Sequence, residues 1–127
     1  MCRKLMTILA VALILTALAV VEQRLVTHLT DDALTRISAL LELVREGEME
    51  TALQKARELD LHWDEHAGEL EVLVDHSSTD EVRYGLSRLI AALEAEDRAA
   101  ALIYASEVEG GIEHVRERQA FSVQNLL

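Results

Sequence analysis

Residues 48–75 read EMETALQKARELDLHWDEHAGELEVLVD, and their spacing decides the fold. Met49, Ala52, Ala56, Leu59, Trp63, His66, Leu70 and Leu73 recur in steps of three and four. That period puts them on one stripe of an α-helix, as in coiled-coil packing. Charged residues fill the positions between. Working outward, the same pattern recurs on both sides. A helix from about Asp31 to Arg45 carries Leu34, Ile37, Leu40, Leu41 and Val44 on one face. Thr30 is its expected N-cap, because a short side-chain oxygen satisfies an orphan helical N–H, and Asp31 and Asp32 suit the positive end of the helix dipole. Gly47 is the expected break. After a loop at His76-Ser77-Ser78, a third helix from about Thr79 to Glu94 buries Val82, Leu86, Leu89, Ile90 and Leu93. Ser78 and Glu81 fit a capping box at its start. A fourth begins near Asp97 and turns Ala101, Ala105, Val108 and Ile112 inward, with Gly110-Gly111 placed to bend it or to admit a close neighbour.

The chain has 127 residues, no proline and five glycines, so little in it stops a helix. Half the residues are apolar, yet only Trp63, Tyr84, Tyr104 and Phe121 are aromatic. Leu, Ala, Val and Ile must then build the core, which suits closely spaced helices. Upstream lies LMTILAVALILTALAVV, Leu5 to Val21, uncharged and interrupted only by Thr7 and Thr16. As a helix it is about 25 Å long, near the minimum for a hydrocarbon core of about 30 Å. The expected class is therefore all-α. A transmembrane helix in residues 1–29 leads into an antiparallel four-helix bundle of two hairpins in residues 30–127.

The apolar run reads as an uncleaved signal anchor; the alternatives are a signal peptide cleaved near Ala19, after Ala17-Leu18-Ala19, and a buried core helix. Arg3 and Lys4 precede it and stay cytoplasmic under the positive-inside rule, so the domain that follows faces outward from the cytoplasmic membrane. Twelve basic residues stand against 23 acidic; setting Arg3 and Lys4 aside leaves ten against 23, or −13. Such a domain repels nucleic acid and anionic headgroups. The lone Cys2 forms no internal disulfide, and it precedes the apolar run, unlike a lipoprotein cysteine.

A shift of 49 residues lays Thr30-Asp31-Asp32 on Thr79-Asp80-Glu81, Leu40 on Leu89, Leu41 on Ile90, Ala52 on Ala101, Ala56 on Ala105 and Glu58 on Glu107. Either the body is a duplicated hairpin, or two amphipathic helices align because the shift is a whole number of heptads. Glu46-Gly47-Glu48 with Ala52 and Ala56 also resembles one tetratricopeptide repeat, but a single copy is no array.

His62-Trp63-Asp64-Glu65-His66 is the one string with metal-ligand spacing: two histidines four apart share a helix face, and it fits H-x-x-E-H. The pattern needs a third ligand and an open cleft. The plainer reading is one seam histidine, His66, and one surface histidine, His62. Trp63 reads as the largest core side chain, and His76 as a helix-end residue whose cation suits a C-terminal dipole. Ferritin-like centres need Glu three residues before His, where this chain has Leu59, Trp63 and Gly111. The carboxylates from Glu46 to Glu71 read as a solvated face. No phosphate loop or nucleophile setting is present, so no catalytic, cofactor or metal residue is assigned.

The basic N-terminus, the apolar helix, Gly47-Glu48-Met49-Glu50-Thr51-Ala52-Leu53, the central Trp63, His76 before an acidic helix start, and Gln119 with Asn125-Leu126-Leu127 together resemble a bacterial membrane-anchored family, domain of unknown function 4363. Ser77-Ser78-Thr79 departs from its more acidic stretch. The resemblance implies a single-pass anchor and an outward helical domain, and no activity. The expectation is a non-catalytic accessory or interaction subunit for a protein in the same membrane. The alternative is a ligand- or metal-sensing module that uses the His62/His66 face. The oligomeric state is left open.

Overall fold

A computed structural model describes the backbone of all residues but 74, 75 and 127, and the side chains outside residues 69–76 and 119–127. Four helices account for nearly all of it: α1 Cys2–Arg45, α2 Met49–Leu73, α3 His76–Glu94 and α4 Arg98–Leu126. Each packs on its chain neighbour, and α1 closes the ring against α4. This is an all-α antiparallel four-helix bundle, as the periodicity predicts.

The helix start expected at Thr30 is absent, and α1 runs from the apolar run into the bundle for 44 residues, about 66 Å at 1.5 Å per residue. Thr30 is no N-cap. It is fully buried inside the helix, and its hydroxyl donates back to the Val26 carbonyl at 2.8 Å. The reason is local. No Gly or Pro separates the apolar run from the seam, and Val26 and Leu29 are already buried, so the helix has no orphan N–H at Thr30 to cap. Side chains from Leu5 to Leu18 are exposed throughout. By length and composition α1 is the one helix among the described residues suited to crossing a membrane.

Every inward residue expected on helices one, three and four is buried except Leu34 and Ile90, which lie at the core margin. Trp63 is 2% exposed, and its indole N–H donates to the Thr79 carbonyl at 3.3 Å. That contact pins the first turn of α3 to α2. Hence Ser78 and Thr79 lie buried within α3 rather than capping it, and the helix starts at His76. The side chains of Leu70, Leu73, His76, Gln119, Phe121 and Asn125 lie outside the described residues.

The two hairpin turns share their closing hydrogen bonds at the 49-residue shift. Glu48 N–H reaches the Leu43 carbonyl at 2.9 Å; Asp97 N–H reaches the Ala92 carbonyl at 2.9 Å. Gly47 N–H bonds Val44 and Glu96 N–H bonds Leu93, both at 3.1 Å. The left-handed residue is Gly47 in one turn (φ 81°) and Glu96 in the other (φ 56°). Both are the αL helix ending that many helices share, so the two hairpins repeat in geometry. Asp97 caps α4 through the Ala100 N–H at 3.1 Å. The Arg98 guanidinium donates to the Val44 carbonyl (3.0 Å) and to that of Arg45, closing the open end of α1.

A left-handed non-glycine residue costs about 1–2 kcal/mol. Glu96→Gly should therefore stabilise the chain by up to about 1 kcal/mol after the added unfolded-state entropy. Gly47→Ala should destabilise it by about 1–2 kcal/mol. Urea denaturation followed by helical circular dichroism reads both signs.

Candidate functional site

α1 brings Asp32 and Arg36 to the face of α2 that carries His62. Asp32 Oδ2 lies 3.0 Å from Arg36 Nε and 3.0 Å from His62 Nε2. The His62 and His66 rings stand edge to face with centroids 4.5 Å apart. Both histidines are half-buried on the flank, and the seam position expected for His66 belongs to Ala67, which is 1% exposed. A 3.6-residue period runs from Leu59 through Trp63 to Ala67, where the strict heptad step gives His66, so the small Ala67 faces inward instead. Among the described residues, no three His, Cys, Asp or Glu side chains converge as metal ligands.

Burial pushes the proton affinity of His62 below its ordinary value, with the Arg36 and His66 charges acting the same way and Asp32 and Glu65 opposing. On the far side of α2, Asp60 is pushed up, chiefly by burial and then by Asp64, with Arg83 opposing. Arg83 reaches Asp64 at 3.4 Å and Asp80 at 3.6 Å, tying α2 to α3. These groups are arranged as bundle-fastening ion pairs: Arg116–Asp31 (2.8 Å) does the same for α4 and α1, and Arg57–Glu94 (2.9 Å) for α2 and α3.

An opening lies elsewhere, between α3 and α4. A groove of about 580 Å³ runs over Gly85, Gly110 and Gly111, bordered by Glu81, Arg88, Glu107 and His114. Two of the glycines are packing residues. A Cβ on Gly85 would sit 2.9 Å from Val108 Cγ2, and one on Gly111 3.2 Å from Val82 Cγ2. Gly110 faces open space, and α4 continues unbroken through the pair. So Gly110-Gly111 admits a close neighbour, one of the two roles expected of it. The groove itself escaped the sequence reading. Its signal was present in the 49-residue shift, which sets Gly85, Gly110 and Gly111 against Arg36, Leu61 and His62.

Because folded His62 resists protonation, the unfolded chain takes up that proton first. Stability should fall as pH drops below 6.5, the ordinary histidine value. Asp60 acts oppositely and lower, since its raised pKa favours the folded state as pH falls toward 3.8. The urea midpoint of the micelle-solubilised protein should decline between about pH 7.5 and 5.5, and His62→Gln should flatten that decline.

The family model described as "Domain of unknown function (DUF4363)" matches residues 20–126. No curated protein and no solved structure matches the chain. The match spans most of the sequence, and the chain belongs to this family.

Proposed function

We propose that this member of the DUF4363 family is a single-pass membrane protein. In this reading its helical bundle serves, without catalysis, as an interaction or accessory subunit for another protein in the same membrane. The observation that carries the reading is α1. Leu5, Ile8, Leu9, Leu13, Ile14 and Leu15 are all at least 59% exposed on a helix that is packed along one face from Val26 onward. A continuous apolar surface of that size is stable only in lipid or against another protein. Arg3 and Lys4 orient the N-terminus to the cytoplasm, which leaves the acidic bundle outside. Only residues 22–25 separate the apolar run from the first buried bundle residue, so any partner must present its own surface close to the bilayer.

Ligand or metal sensing at His62/His66 is the second reading, favoured by their 4.5 Å ring approach. Metal analysis of the purified protein, with His62→Ala/His66→Ala as control, decides it. Stoichiometric metal lost in the double variant would promote it.

For the leading reading, crosslinking of the tagged full-length protein in native membranes should yield one recurring membrane protein. Cys2, the only cysteine, should resist an impermeant maleimide in intact cells and react once the membrane is opened. Self-crosslinks alone, or Cys2 labelled from outside, would contradict it.

A further inference from the structure

The cations of the bundle are engaged, with one exception. Most hold carboxylates, as Arg57, Arg83 and Arg116 do. Arg98 holds the end of α1, Arg88 stands over the Tyr104 ring, and Arg118 is partnered as well. Among the described lysines and arginines beyond Val21, only Arg24 has no hydrogen bond, ion pair or ring contact. It lies in a groove of about 470 Å³ along α1, lined by Val20, Gln23, Arg24, Thr27, His28 and Asp31. Other donors in the groove are unused too. Gln23 and His28 have no partner, and the Thr27 hydroxyl makes no hydrogen bond. The hydroxyls of Thr7, Thr16, Thr30 and Thr35, by contrast, all donate back to their own helix. The one carboxylate in the groove, that of Asp31, is already held by Arg116 at 2.8 Å.

We propose that this groove binds the phosphodiester of a membrane phospholipid, with the Arg24 guanidinium as its principal contact. The site rests on the single-pass reading of α1 and gives that span a specific lipid contact. Depth carries it. Arg24 follows Val21, the end of the uncharged run, by three residues, about 4.5 Å along the helix. The headgroup layer on each side of the hydrocarbon core is about 5–8 Å thick. Helical side chains lean toward their own N-terminus, here toward the apolar run. Because α1 is unbroken, the donors are held at that level. The groove is also graded as a phospholipid is. Val20, 44% exposed, stands at the end toward the run; the donors of Arg24, Thr27 and His28 follow; the Asp31–Arg116 pair closes the bundle end. A free phosphate would meet only the middle of that series. General attraction to an anionic surface is not open to this bundle, which has ten basic residues against 23 acidic once Arg3 and Lys4 are set aside. Recognition falls instead to one guanidinium, which pairs with two phosphate oxygens through two N–H donors, as an ammonium does not.

Full-length, isotope-labelled protein in uncharged detergent micelles is titrated with phosphatidylglycerol, with diacylglycerol of the same chains, and with inorganic phosphate. The amides of Gln23, Arg24, Thr27 and His28 should shift saturably with the phospholipid and not with diacylglycerol. Arg24→Gln should weaken binding about fivefold or more, and Arg24→Lys should recover part of it. Arg45→Gln, at the far end of the bundle, should leave binding unchanged. Helical circular dichroism should be the same in all three, since Arg24 touches no other side chain and Arg45 pairs only with the exposed Glu42. A response to diacylglycerol equal to that for the phospholipid overturns the proposal, as does an Arg24→Gln protein that binds as tightly as the wild type. Saturation by inorganic phosphate at the same affinity makes the groove a free-anion site and overturns the lipid assignment. Alkaline extraction of native membranes separates the site from the reading beneath it. Protein released into the supernatant overturns the membrane span and the site together. Protein kept in the pellet, with phospholipid binding indifferent to Arg24, overturns the site alone.

Discussion

Everything in this molecule depends on α1 being unable to stop. Its apolar run and its bundle seam are joined by residues that carry no proline and no glycine, so the backbone hydrogen-bond ladder passes from one to the other. Within a few residues the helix changes from apolar on all sides to apolar on one. That change, rather than any break in the backbone, marks where the bundle begins. The consequence is mechanical. A bundle joined to the apolar run by a helix instead of a linker has its orientation set by that helix, and its free surfaces are held at fixed distances from the run. Arg98 adds to this by closing the far end of α1 against α4.

The remaining three helices follow from a repeated unit. Two αL turns with the same hydrogen bonds fold the chain back at Gly47 and Glu96. The core positions repeat with them: Thr30 and Thr79 are both fully buried, as are Ala52 and Ala101, and Ala56 and Ala105. The two hairpins differ in two ways. Trp63 stands where the second hairpin has the buried Ile112, and its indole locks α3 through the Thr79 carbonyl. Glycines stand in place of Arg36 and His62 on the flank, which lets α3 and α4 approach until Gly85 meets Val108 and Gly111 meets Val82. The first flank is fastened by side chains; the second is closed by backbone approach, with Gly110 alone facing open space.

Much of this is legible from residue spacing. Because burial of an apolar stripe is a local, periodic signal, the three-four stepping locates all the bundle helices and most of the core, but it leaves out Val26, Leu29, Ala33, Ala67, Ala92 and Val115. The ends of helices were read less well. Thr30 and Ser78 both carry cap chemistry, but a cap matters only where backbone donors are orphaned, and neighbouring Leu29 and Trp63 had already drawn those turns into the core. His66 was placed on the seam by extending a coiled-coil step that an unsupercoiled helix does not keep. The groove was not found, because removed side chains leave no motif. It becomes visible only when the two halves are set against each other and the glycines are seen opposite Arg36, Leu61 and His62.

The central claim is that one uninterrupted helix both carries the apolar run and builds the bundle. Spin labels at Leu9→Cys and Ala39→Cys, in a Cys2→Ser background and in lipid nanodiscs, measure it directly by pulsed dipolar spectroscopy. Thirty residues of unbroken helix place the two sites about 45 Å apart. A single narrow distribution near that distance is the predicted result. A broad distribution, or one centred well below about 35 Å, would reveal a hinge between anchor and bundle and contradict the account.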